Sequence, residues 1–299
     1  MENFAGKTAV ITGAASGIGF ALAKLFAQKG MNVVMADIET QRLEGAAKEL
    51  SAEKVKTEIG KIVTVQTDVS KQESVANLAK TAQQHFGEIH IVCNNAGVIN
   101  AGSLWESSIE DYNWVMGVNL WGVIHGIREF VPILSAQSCE SHIVNTVSMG
   151  ALVSLPFSGI YYMTKAAVLS LSETLYHELS MTAPQVGVTA LCPEFVHTNI
   201  AGAERNKPHQ TSTSAHVVDD IKTMILQQLN DFTNSAEAAT PDRLAERALQ
   251  AIRQKRFYAL AENNNPWISC MKARFQAISD QSNPPFLVPS RDGVADLEK

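Results

Sequence analysis

Cysteine is scarce: Cys93, Cys139, Cys192 and Cys270 are spread over 299 residues with no C-x-x-C pair. Such spacing excludes a disulfide framework and points to a reducing compartment. Charge is scarce too, at 18% against a usual share of roughly 25%, which excludes a polyelectrolyte chain. The 24 basic and 30 acidic residues leave a net charge of −6, which speaks against a nucleic-acid-binding surface. No run reaches the roughly 18 apolar residues of a membrane span. The opening MENFAGKTAV has no basic stretch followed by a long apolar one, so no secretory signal is expected. His85, His90, His125, His142, His177, His197, His209 and His216 show neither H-x-x-x-H nor Cys/His ligand spacing, which leaves a catalytic metal unsupported. The expectation is a cytoplasmic globular protein. Its 45% hydrophobic residues supply a large core and leave material for a subunit interface.

Short apolar runs alternate with segments of helical period. The runs are Lys7–Thr12, Asn32–Asp37, Ile62–Asp68, Ile89–Asn94, His142–Ser148 and Val186–Cys192, with helical spacing at Ile18–Lys29 and near Thr40–Leu50. Near-continuous Val/Ile/Ala runs suit strands covered on both faces. The alternation predicts an α/β fold, a doubly wound parallel β-sheet of about seven strands with helices on both faces. Residues 1–261 are expected to form one domain. Within it, about 199–240 is a polar connection long enough to serve as a lid, with a possible helix carrying Ile221, Met224, Ile225 and Leu229. Residues 262–299 form a C-terminal extension. Asn265-Pro266 offers a helix start, and Trp267, Met271, Phe275 and Ile278 make one apolar stripe that docks on its own domain, on a neighbouring subunit or along the cleft. Pro284, Pro285 and Pro289 suggest an extended tail.

Between the first strand and first helix lies Thr12-Gly13-Ala14-Ala15-Ser16-Gly17-Ile18-Gly19. Glycine lets backbone turn sharply and approach a ligand, and the helix start offers unpaired N–H groups to a pyrophosphate. The spacing G-x-x-x-G-x-G differs from the common G-x-G-x-x-G fingerprint. Asp37 ends the second strand, where a carboxylate accepts from ribose hydroxyls and repels a 2′-phosphate. No Arg or Lys stands at Ser16 or Ile38. The pattern favours NAD over NADP.

Ser148 follows the fifth strand, Tyr161 lies further on, and Lys165 shares a helix face with Tyr161 at i, i+4. Free tyrosine has a pKa of about 10. A nearby ammonium favours the phenolate and would poise the phenol for proton exchange with an alcohol or ketone. Tyr162 is an equal rival on helical geometry alone, because i, i+3 neighbours also meet.

These pieces resemble the short-chain dehydrogenase/reductase family over about residues 5–260. Thr12–Gly19, Asp68-Val69, Asn94-Asn95-Ala96-Gly97, Asn119 in GVNLWG, Ser148 and Tyr161-x-x-x-Lys165 match in order. The resemblance implies a Rossmann-like fold and a NAD(P)-linked oxidoreductase that interconverts a secondary alcohol and a ketone. It selects Tyr161 as the acid–base and gives Ser148 the substrate oxygen. It places Lys165 on the nicotinamide ribose and Asn119 in a water-borne proton relay. Gly13, Ser16, Gly17, Ile18 and Gly19 would hold the pyrophosphate side, Asp68 and Val69 would flank the adenine, and Asn95, Ala96 and Gly97 would line the groove. After the sixth strand the family has P-G-x-V-x-T, whereas this chain reads Pro193-Glu194-Phe195-Val196-His197-Thr198. Pro193, Val196 and Thr198 keep the nicotinamide positions. Glu194 points to solvent or, with Phe195, toward substrate.

Met149, Leu152, Val153, Leu155, Phe157 and Phe195, near the expected cleft, either suggest a lipophilic or aromatic substrate or pack against the lid. Asp111–Gly126 and the long extension look similar to a branch containing bacterial aryl-alcohol dehydrogenases. Family members are usually homodimers or homotetramers built through the helices of Asn119 and Tyr161, and Trp114, Trp121 and Phe130 are compatible with that. The rivals are an NADP-linked carbonyl reductase and a non-catalytic dinucleotide-binding sensor or scaffold.

Overall fold

The computed structural model describes residues 1–53, 60–208, 216–290 and 293–296. The first apolar run is β1 (Thr8–Thr12), every residue of it buried. The glycines then release the chain into α1 (Gly17–Gln28). β2 (Asn32–Asp37), α2 (Thr40–Glu53), β3 (Ile62–Gln66), α3 (Gln72–Phe86) and β4 (Ile91–Asn94) continue the alternation. After it come α4 (Ile109–Met116), a π-helical turn at Gly117–Trp121 and α5 (Gly122–Ala136). β5 (Ser141–Thr146), α6 (Gly159–Thr182) and β6 (Val186–Leu191) follow. α7 (His216–Thr233), α8 (Pro241–Gln254), β7 (Tyr258–Ala259), α9 (Pro266–Ser279) and the pair β8 (Leu287–Ser290) and β9 (Gly293–Asp296) complete the order.

The main sheet runs β3-β2-β1-β4-β5-β6-β7, and every pairing in it is parallel. Strand order reverses between β1 and β4, and the crevice beyond the carboxyl ends at that reversal is where such sheets hold ligands. α1, α2 and α8 cover one face through Phe26, Leu43, Leu50 and Leu249. α3, α5 and α6 cover the other through Leu78, Phe130, Leu134 and Leu175. Fully burying a side chain such as Phe26 or Phe130 contributes about 2 kcal/mol.

Buried polar side chains fix the strand ends. Asn94 donates to Asn145 (2.9 Å), which donates to Ser172 (2.9 Å). Asn95 donates to the Thr12 carbonyl and accepts from Thr146, so one amide joins β1, β4 and β5. A second chain sits at the start of β5. Thr189 Oγ1 donates to the Arg256 carbonyl, so His142 Nε2, 2.8 Å from that oxygen, carries the proton. Burial pushes the His142 pKa down to about 3, and the folded ring stays neutral while the unfolded one titrates at about 6.5. The depressed pKa means this contribution is fully present above pH 6.5 and is lost as pH falls toward 3, at about 1.4 kcal/mol per pH unit. Urea unfolding at pH 6.5 and pH 5 will show His142→Gln losing roughly 2 kcal/mol less than the parent across that interval.

The C-terminal stripe needs correction. Trp267 is buried and Met271 half-buried, whereas Phe275 and Ile278 are 50% and 59% exposed. α9 buries Ile268, Cys270 and Ala277 instead. It docks on the segment after Ser148, where Met149, Leu152 and Val153 share its core and Arg274 donates to the Ala151 carbonyl. Met149, Leu152 and Val153, expected near the cleft, are therefore filled by protein. Trp114 and Phe130, read as compatible with a subunit contact, lie in the chain's own core. Trp121 stays 49% exposed. The tail after α9 pairs as the antiparallel β8–β9.

Candidate functional site

One cleft at the carboxyl ends of the strands gathers most of the residues singled out in the sequence. Gly13 (φ 68) and Gly17 (φ 55) take the left-handed conformation that glycine alone adopts freely. A Cβ on Gly13 would lie 2.9 Å from Ala96 Cα, and one on Gly19 2.1 Å from the Gly13 carbonyl oxygen. The turn is thus a cradle that side chains would fill. Ser16 precedes α1 in extended conformation with no side-chain cap, and it lines the cleft with Gly17 and Ile18. Unpaired N–H groups of α1 favour an anion at this point.

Asp37 stands at the far end and accepts from Ala15 N–H (3.1 Å) and Glu39 N–H (3.0 Å). Burial raises its pKa and the backbone donors oppose the rise. The carboxylate therefore also ties β2 to the glycine turn. Asp68 accepts from the Ser70 N–H and hydroxyl, and the Val69 carbonyl contacts the His125 ring at 2.9 Å. Both line the cleft beside Asn95, Ala96 and Gly97.

β5 ends at Thr146, and Ser148 opens a 3-10 turn in which its Oγ accepts from Gly150 N–H (2.9 Å). Tyr161, Tyr162 and Lys165 rise from α6 into the same cleft. Burial raises the Tyr161 pKa, and a hydrogen bond with Ser148 pulls it back. The net direction is opposite to that expected from an adjacent ammonium. Lys165 Nζ donates to the Thr146 carbonyl (2.8 Å) and lies 5.8 Å from the Tyr161 ring centroid. Burial lowers its own pKa to about 8. The Tyr162 pKa is also pushed up, by burial and then by Tyr161. Ser148 acts on the Tyr161 phenol and not on that of Tyr162.

Asn119 sits behind the wall inside the π-helical turn, a distortion that often marks functional positions. Its Oδ1 accepts from Val98 N–H (2.8 Å), and its Nδ2 donates to the Val98 carbonyl and Thr164. A Cβ on Gly97 would lie 3.5 Å from Asn119 Oδ1 and 3.6 Å from Lys165 Nζ, so both atoms flank one point.

The opposite wall departs from expectation. Glu194 borders the cleft, but its carboxylate is taken: Arg247 of α8 grips it with two bonds of 2.6 and 2.7 Å. The two side chains are 6% and 10% exposed respectively. Pro193 accepts from Met149 N–H, Val196 bridges to Ala239, and Thr198 rests against Gly17. Phe195 stacks on Phe232 (4.8 Å, 3°) and meets Trp267 edge-on (5.2 Å, 70°). Trp267 takes its place along the cleft, one of the positions its stripe allowed, whereas Arg247 and Phe232 were missed, since no local spacing links them to Glu194 and Phe195.

Between 199 and 240, Ile200–Asn206 forms a 3-10 segment and α7 follows. Ile225 and Leu229 are half-buried and Met224 is 47% exposed. The side chain of Ile221 lies outside the described residues. Arg205 reaches Glu39 (2.8 Å) and Lys207 reaches Asp111 (2.6 Å), tying the segment to both rims.

Away from the cleft, before β4, Glu88, His90 and Cys139 place ligand atoms within 4.8 Å of one another. His90 Nδ1 accepts from Thr8 N–H, so the nitrogen facing Glu88 carries the ring proton and is a donor rather than a metal ligand.

Residues 7–209 match the model of the short chain dehydrogenase family. A short chain dehydrogenase/reductase from Burkholderia phymatum, crystallised with NAD, is 40% identical, with a TM-score of 0.88 over 95% of this chain and 98% of that one. A C alpha-dehydrogenase from Sphingobium sp. is 31% identical over 95% of this chain and 89% of its own length. A 1-deoxy-11-beta-hydroxypentalenate dehydrogenase from Streptomyces avermitilis is 39% identical over 71% of this chain and 78% of its own.

Proposed function

Since the chain belongs to the short-chain dehydrogenase family, we propose that it is a NAD-dependent oxidoreductase interconverting a lipophilic or aromatic secondary alcohol and its ketone. The observation that carries this reading is that Ser148, Tyr161 and Lys165 line the same cleft as the glycine turn and Asp37. NAD, when bound, supplies the hydride chemistry, and the protein supplies orientation and electrostatics. The fit rests on Gly13, Ser16, Gly17, Ile18 and Asp37, which line the open cleft, and on the anion-favouring start of α1.

Tyr161 gives its proton to the ketone oxygen, or takes it from the alcohol. Ser148 holds the same oxygen. A phenol with a raised pKa is ready as a donor. Acting as acceptor costs the climb to phenolate, which the Lys165 ammonium eases. Asn119 and Lys165 flank the point beside Gly97 where a relayed proton would pass. The rings of Phe195, Phe232 and Trp267 support an apolar substrate side. On this reading 199–240 is a lid and 262–299 an extension that completes the wall. Trp121, exposed beside α5, supports a homodimer or homotetramer. Among the described residues no helix is long and apolar enough to cross a membrane.

Calorimetry with NADH and NADPH, followed by NAD reduction across a panel of aryl and short aliphatic secondary alcohols, tests the reading. Tighter NADH binding and faster turnover of the aryl members are expected. Absence of dinucleotide uptake, or uptake without turnover of any alcohol or ketone, overturns it.

A further inference from the structure

Among the described residues lining the cleft, the cations are Lys165, beside Tyr161, and Arg205, at the other end with Asp37, Ile38 and Glu39. Arg205 belongs to the segment above the cleft, yet its charge is already taken. Its Nε and Nη2 donate to Glu39 Oε1 at 3.0 and 2.8 Å. Its Nη1 donates to the Gly202 and Asn199 carbonyls. Asn206 donates to the same Glu39 oxygen (3.0 Å), and Arg42 holds the other at 3.1 Å. Burial alone would raise the Glu39 pKa, but the bonds from Arg205 and Asn206 outweigh it and hold the carboxyl below its usual range. Glu39 N–H in turn donates to Asp37, and the Glu39 charge is felt at Asp37. Two carboxylates and two guanidiniums, those of Arg205 and Arg42, therefore meet where, on the function proposed above, the adenosine ribose lies.

We infer that Glu39 is a second determinant of cofactor choice, because it occupies the guanidinium of Arg205, which lines the cleft on the ribose side and could otherwise take a 2′-phosphate. Guanidinium forks pair strongly with phosphate oxygens, and a 2′-phosphate is the whole difference between NADP and NAD. Asp37 repels that group directly; Glu39 excludes it by keeping Arg205 engaged. Removing the Asp37 charge alone therefore leaves no free cation to receive the phosphate. Loss of Glu39 also loosens the segment above the cleft, but that change weakens both dinucleotides alike and cancels in their ratio.

The test measures dissociation constants for NADH and NADPH by calorimetry in Asp37→Asn, Asp37→Asn/Glu39→Gln and Asp37→Asn/Glu39→Gln/Arg205→Met. Asparagine keeps an oxygen for Ala15 and Glu39, and the Glu39 and Arg205 side chains are 20% and 31% exposed, so these changes leave the core intact. Adding Glu39→Gln is expected to move the ratio about tenfold toward NADPH, as one charge-assisted hydrogen bond would. Arg205→Met is expected to abolish that gain. An unchanged ratio on adding Glu39→Gln, with NADH still bound, overturns the inference. So does a gain that survives Arg205→Met, which would credit Arg42. Failure of the unsubstituted protein to bind either dinucleotide overturns the function itself.

Discussion

Tyr161→Phe is expected to lower turnover about 10³-fold, the usual size of a lost general acid–base, while NADH binding by calorimetry stays close to that of the parent. The substitution removes one oxygen and keeps the ring, whose edge-on contact with Tyr162 at 5.7 Å persists. What disappears is the hydroxyl on which Ser148 acts. Tyr162→Phe is the control: its phenol, also pushed up by burial, is not under the influence of Ser148, and most activity should remain. The reverse outcome would move the assignment by one residue. The pH profile adds a sign. With the Lys165 pKa lowered to about 8 by burial, the ammonium is present below that pH and lost above it. Ketone reduction, which needs ammonium and protonated phenol together, should slow as pH rises through about 8.

The second large effect is on stability. Arg247→Met strands the Glu194 carboxylate at 6% exposure, and removing one partner of a buried pair costs about 3–5 kcal/mol. Urea unfolding measures it. The double substitution Glu194→Gln/Arg247→Met removes both charges and should recover most of the loss, since a neutral pair carries no unpaired ion. A cost below about 1 kcal/mol for Arg247→Met would mean that the pair behaves like a surface contact. Because Glu194 lies between Pro193 and Phe195, loosening it also frees the segment that carries Val196 and Thr198.

The sheet was legible because each strand is a short run of Val, Ile and Ala covered on both faces, a pattern local to the chain. The cradle was legible because glycine is required there for steric reasons visible in seven consecutive positions. Glu194 was not. Its partner lies 53 positions away on a helix whose sequence shows only that one face is apolar. α9 was half legible for a similar reason. Spacing finds the stripe of Trp267, Met271, Phe275 and Ile278, but the surface beneath decides which face is covered: it takes Ile268, Cys270 and Ala277 and leaves Phe275 and Ile278 exposed. The direction of the Tyr161 pKa also needed the fold. Adjacency to Lys165 is a matter of sequence, whereas desolvation depends on everything packed around the phenol.

The chain leaves the sheet after Phe195 and comes back beside it: Ala239 N–H bonds the Phe195 carbonyl (2.8 Å), and His197 N–H bonds the Ala239 carbonyl (2.9 Å). Departure and return are thus stapled together, so the intervening excursion can be exchanged like a cartridge without disturbing the strands below. Closing such an excursion costs only about 0.6 kcal/mol more for each doubling of its length. Grafts of foreign segments at this neck would offer a route to new substrate repertoires on an unchanged catalytic floor.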